Sequence, residues 1–155
     1  MQHHYFCNAM LYSVKTKWCA SETRDQRPET RDQRPCILCC REPETLDHLL
    51  VGCVFARTIW YEVLSWCRLT AHPPDGTLGF FEWLTTQIHP SPSALRKGFT
   101  LLAILTAWSI WKHRNAGIFD GLQPSTARLL TTIQDEARDW AAAGVKGPQA
   151  IIPVT

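Results

Sequence analysis

Three cysteines and a histidine, Cys36, Cys39, His48 and Cys53, stand at the spacing C-x2-C-x8-H-x4-C. Thiolate and imidazole are the donors that a tetrahedral divalent ion of borderline softness prefers, and a Cys-x-x-Cys turn sets two sulfurs about 2.3 Å from one zinc while a distant His/Cys pair closes the shell. Four protein donors leave no position for water, so the expected role is structural rather than catalytic. Seven cysteines in 155 residues also make a chance Cys-x-x-Cys a competing explanation, with His48 an ordinary surface residue.

Two details of the spacing stay open at this level. Cys40 directly follows Cys39 and could replace it as a ligand with gaps of three and seven residues, although the shorter gap makes the tighter knuckle. His48 and Cys53 are five apart, which on an unbroken α-helix separates them by about 140° of rotation. Both can reach one ion only if the helix breaks, and Gly52 is placed to permit that. The few apolar side chains of 36–53 return less than the conformational entropy lost on ordering them. Metal binding and docking onto neighbouring helices are therefore expected to complete the fold of this segment.

Composition limits the alternatives. With 45% hydrophobic residues and seven tryptophans the chain can build a core, which disordered sequences cannot. A formal charge of +2 is too small to announce a polyanion-binding protein, so any nucleic-acid surface would be a local patch. Met1–Val14 has no basic stretch, apolar run or cleavage site of a secretory leader, and the expected location is intracellular, nuclear or cytoplasmic. The apolar run 98–111 is shorter than the roughly 20 residues that span a bilayer, so no membrane partner is expected. In a reducing compartment Cys7, Cys19 and Cys67 are expected as free thiols. His3, His4, His72 and His89 lack partners at ligand spacing. Asp135, Glu136 and Asp139 crowd one helical turn and read as a solvated face beside Arg138 rather than a hydrolytic metal site. Neither a catalytic residue nor a small-molecule substrate is expected.

The elements that must position the four donors are helical. Glu22–Pro28 repeats unchanged as Glu29–Pro35, without an apolar seam and with a proline in each copy, so 1–35 reads as a solvated lead-in. Residues 36–70 form the metal module: Thr45 caps a short turn carrying His48, and a helix runs from about Val54 to Leu69 with Ala56, Trp60, Val63 or Leu64, and Cys67 on its apolar stripe. A linker with one short amphipathic helix occupies 71–92. Residues 93–144 hold two helices, the first capped by Ser93, running to about Phe119 and ended by Asp120-Gly121, the second opened by Ser125 and closed near Ala143. Residues 145–155 read as a loose tail. The fold class expected is mainly α, a small zinc-knuckle module followed by a helical bundle-like region.

The zinc spacing, the run Glu42-Pro43-Glu44-Thr45 leading into His48-Leu49-Leu50, then Phe55-Ala56-Arg57 and Ile59-Trp60, and finally Trp108-Ser109-Ile110-Trp111-Lys112-His113-Arg114-Asn115 with Ile118-Phe119, together resemble the zinc-binding region that follows the polymerase of plant non-LTR (LINE-type) retrotransposon reverse transcriptases. The resemblance covers Cys36 to about Trp140. It implies that Cys36, Cys39, His48 and Cys53 are the ligands, that the chain is a C-terminal fragment of such an enzyme, and that it helps hold RNA or DNA beside a reverse transcriptase polypeptide. The polymerase, endonuclease and ribonuclease H signatures are absent from these 155 residues.

Candidate contacts to phosphate on that reading are Arg41, Arg57, Lys112, His113 and Arg114, and an exposed tryptophan could stack on an unpaired base. For Trp108 and Trp111 core packing at helical spacing competes with stacking; for Lys112–Arg114 a solvated helix end competes with phosphate contact. A zinc-stabilised protein-interaction module and a translated transposon relic without activity are the alternative functions.

Overall fold

The computed structural model describes residues 34–153. Most of the heptapeptide repeat, Cys7, Cys19, His3 and His4 therefore lie outside the described residues, and of the second copy only Arg34 and Pro35 lie within them. The described chain is mainly helical, and the one β feature among these residues is an isolated antiparallel bridge between Pro35 and Pro43. Neither proline has an N–H to give. The pairing is made by their neighbours, the Cys36 N–H donating to the Glu42 carbonyl at 2.8 Å and the Glu44 N–H to the Arg34 carbonyl at 2.9 Å.

Thr45 starts the first helical turn as expected: its hydroxyl accepts the His48 N–H at 3.0 Å. A π turn follows over His48–Gly52, then helix α1 (Val54–Trp66), α2 (Phe80–Ile88), α3 (Ser93–Phe119) and α4 (Thr126–Ala142). Helix α1 stops before the expected Leu69, because Arg68 takes a left-handed conformation (φ 53°) and the Leu69 N–H turns back to the Leu64 carbonyl at 3.0 Å. That is the geometry with which helices commonly close, here without the usual glycine. Asp120 and Gly121 (φ 66°) end α3, and the Ser125 hydroxyl caps α4 by accepting the Arg128 N–H at 3.3 Å. Ser93 is the first helical residue of α3 rather than its cap, which falls on Pro92.

One hydrophobic core runs through the whole described chain, so the expected metal module, linker and two-helix region share it. Trp60 is at its centre, its ring 4.7 Å from Trp83 and 6.2 Å from Phe80. Its indole N–H donates to the Leu50 carbonyl at 2.7 Å, which ties α1 to the π turn. Helix α3 packs along α4, and α1 lies against both.

Residues 145–153 correct the expectation of a loose tail. After Gly147 (φ 115°) a 3-10 turn over Pro148–Ala150 returns the chain to α3, and Ile151 and Ile152 are buried. Gly98 makes this possible. A Cβ there would lie 2.4 Å from the Gly147 carbonyl oxygen, so only a glycine admits the tail at that point on α3.

Candidate metal centre

The four donor atoms of Cys36, Cys39, His48 and Cys53 all lie within 4.8 Å of one another. Two edges of this figure are resolved finely: Cys36 Sγ to Cys53 Sγ is 3.9 Å, and Cys39 Sγ to His48 Nε2 is 3.3 Å. A tetrahedral zinc, about 2.3 Å from sulfur and 2.0–2.1 Å from nitrogen, sets S–S edges of about 3.8 Å and S–N edges of about 3.5 Å. The donor set and its spacing are thus compatible with zinc.

Local structure explains how four donors separated in sequence converge. The knuckle folds because the Cys40 N–H donates to the Cys36 carbonyl at 2.6 Å and Cys40 takes φ 54°. That turn puts Cys39 in the cluster. Cys40 is outside it, with its sulfur 3.7 Å from the Ile37 carbonyl oxygen.

The separation of His48 and Cys53 is solved differently from the expected glycine break. The Cys53 N–H donates to the His48 carbonyl at 2.6 Å, an i to i+5 bond, so the wider π turn brings residues five apart round to one side. Gly52 is not among the positive-φ residues. A Cβ added there would make only an ordinary contact with His48 Nδ1 at 3.4 Å, so space does not demand a glycine either.

Cys36 and Cys53 are fully buried. The Cys36 thiol donates to Cys53, and this bond, with burial second, pushes the Cys36 pKa far above the ordinary thiol range; the same bond lowers that of Cys53. A divalent cation among these sulfurs would take the place of the shared proton.

Three acidic residues around the centre each hold a different element, and the sequence reading assigned no role to any of them. The Glu42 carboxylate is 3.3 Å from His48 Nδ1. Glu44 forms a buried ion pair with Arg114 of α3. Asp47 accepts the Phe80 N–H at 2.9 Å and so caps α2. Further contacts fasten the module to α3: Phe55 stacks on His113 with ring centroids 5.6 Å apart, and Ile37 lies against Gly117.

The five residues expected to meet phosphate divide. Arg41 and Arg57 are exposed, the latter donating to the Pro74 carbonyl at 3.3 Å. Lys112 is exposed and 3.7 Å from Glu136 of α4. Arg114 and His113 are turned inward. Arg114 pairs with Glu44 and donates to Asn115 Oδ1 at 3.0 Å, while His113 Nε2 accepts the Ser125 N–H at 3.0 Å. Burial, then the nearby Arg128 charge, lowers the His113 pKa, in keeping with a neutral ring that accepts.

Trp108 is 41% exposed and stacks on the half-buried Trp111 at 4.9 Å. Cys67 is a buried free thiol whose pKa burial pushes up to about 12. Asp135 pairs with Arg138 at 3.4 Å, within its own helix. No helix among the described residues is long and apolar enough to cross a membrane. Compared with protein-family models, curated proteins and solved structures, the chain matches none.

Proposed function

We propose that the chain is a non-catalytic zinc-binding module, in which one ion held by Cys36, Cys39, His48 and Cys53 organises the helical domain. The observation that carries this reading is the convergence of the four donor atoms within 4.8 Å, two edges having near-tetrahedral lengths. The ion supplies cross-linking of the knuckle to the π turn; four protein donors leave it no site for substrate.

The residue pattern from Cys36 to Trp140 further supports a zinc-binding domain derived from a LINE-type reverse transcriptase, acting on RNA or DNA beside that enzyme. On this reading Arg41, Arg57 and Lys112 are the cations left to face phosphate. A second reading, a zinc-stabilised protein-interaction module, is favoured by apolar side chains on the outer side of α1, where Val54 and Tyr61 are more than half exposed.

The metal reading is tested by zinc content per chain, measured by elemental mass spectrometry on purified protein with Cys36→Ser and His48→Ala beside it, and by circular dichroism across chelation. One zinc per chain, lost in both variants together with helical signal, is the expected result. A folded chain without zinc refutes it. Titrations with single-stranded RNA and DNA over a salt series then separate the two functional readings. Phosphate contacts weaken steeply with salt, and apolar burial does not.

A further inference from the structure

We propose that Glu42 is the positioning residue of the metal centre: its carboxylate holds the Nδ1–H of His48 and so keeps Nε2 presented to the metal. The inference rests on the metal reading above and adds a residue that the ligand spacing does not reveal. The two ring nitrogens of His48 face opposite groups, Nε2 lying 3.3 Å from Cys39 Sγ and Nδ1 3.3 Å from Glu42 Oε2. A neutral imidazole can offer a lone pair at Nε2 only when its proton sits on Nδ1. A carboxylate on the Nδ1 side selects that tautomer, fixes the ring plane and raises the basicity of the ligating nitrogen.

The other acidic side chains nearby are committed elsewhere. Glu44 is paired with Arg114, and Asp47 accepts the Phe80 N–H. Glu42 is the carboxylate left for the ring, and its backbone is located independently of its side chain, because its carbonyl accepts the Cys36 N–H at 2.8 Å. The side chain is 70% exposed. Truncating it opens no cavity in the core, so its removal isolates the contact to His48.

The test compares the full chain with Glu42→Ala, Glu42→Gln and, as a control on an exposed carboxylate of α1, Glu62→Ala. Zinc affinity is read by competition with a chromophoric chelator, the ligand set by the visible and thiolate charge-transfer bands of the cobalt(II) form, and the contact itself by the exchange rate of the His48 Nδ1 proton in the zinc-loaded protein.

Glu42→Ala is expected to weaken zinc binding about 10- to 100-fold while the cobalt bands still report three thiolates and one nitrogen, with a faster-exchanging Nδ1 proton. Glu42→Gln, whose amide oxygen still accepts, falls between it and wild type; Glu62→Ala leaves affinity unchanged. Affinity of Glu42→Ala within twofold of wild type, or a loss with no change at the Nδ1 proton, overturns the role of Glu42 while leaving the metal reading intact. A wild-type chain that takes up no metal overturns both.

Discussion

The buried pair between Glu44 and Arg114 offers the sharpest test of how the metal module is fastened to the helices. The two side chains are 12% and 9% exposed, respectively, and they are seventy residues apart in sequence. Removing one partner of such a pair strands the other charge where water reaches it poorly, which typically costs about 3–5 kcal/mol. Arg114→Ala leaves the Glu44 carboxylate in that position, and Glu44→Ala leaves the guanidinium with Asn115 as its partner. Each single substitution is expected to destabilise the fold by about 3 kcal/mol or more, a large share of the 5–15 kcal/mol that holds most domains together.

The double substitution strands no charge. It should therefore be less destabilised than the sum of the singles by roughly 1–3 kcal/mol, the coupling of two groups in direct contact. The assay is urea unfolding followed by circular dichroism at a fixed excess of zinc, so that metal linkage is the same for all four proteins. With an unfolding slope of about 2 kcal/mol/M, the singles lower the midpoint by roughly 1.5 M. Single substitutions that each cost under about 1 kcal/mol and add without coupling are the signature of an exposed pair. That result would refute the reasoning and return Arg114 to the surface as a candidate phosphate contact.

Three further outcomes follow from single contacts. His113 is neutral in the fold with its pKa lowered below the ordinary value of about 6.5, so the native state binds fewer protons than the unfolded chain; its contribution is complete above about pH 6.5 and is lost as pH falls from there through the lower folded value. His113→Gln, which retains an acceptor for the Ser125 N–H, should show a shallower loss of stability than wild type between pH 7 and 5 in parallel urea titrations. Gly98→Ala forces a Cβ to within 2.4 Å of the Gly147 carbonyl oxygen and should cost about 1–3 kcal/mol, with hydrogen exchange quickened at Ile151 and Ile152. Asp47→Ala removes the acceptor for the Phe80 N–H, and a loss of about 0.5–2 kcal/mol should appear as weaker exchange protection in α2 with zinc content unchanged.

Local signals carried the sequence reading a long way. Thr45 and Ser125 cap the turns they were expected to cap, α3 covers the expected 93–119, and the Cys-x-x-Cys turn brings its two sulfurs to His48 and Cys53. What escaped leaves no mark in residue type or periodicity. Arg68 closes α1 in a left-handed conformation that its type does not favour, and Ile151-Ile152 follows two glycines with too little periodicity to register as core. The basic run Lys112-His113-Arg114 misled for a geometric reason: successive helical residues are turned by about 100°, so three in a row cannot share one face. Here Lys112 meets solvent while His113 and Arg114 turn toward α1 and the knuckle.

The acidic residues of the knuckle also bear on where a polyanion could approach. Three thiolates and a neutral imidazole around a divalent ion leave a formal charge of about −1, and Glu42 and Asp47 stand exposed beside it. A phosphate approaching that face meets like charge, with Arg41 as the one exposed cation between the second cysteine and the histidine of the cluster. Lys112 already shares its charge with Glu136, and Arg57 has its Nε donating to the Pro74 carbonyl. By themselves Arg41, Arg57 and Lys112 support at most a salt slope of about −2 to −3 for nucleic acid. A steeper slope requires further cations, either exposed ones such as Arg96, Lys97 and Arg128 or the five of the chain's sixteen lysines and arginines that fall in 1–33. The salt series therefore also reports whether cations beyond Arg41, Arg57 and Lys112 make the contact.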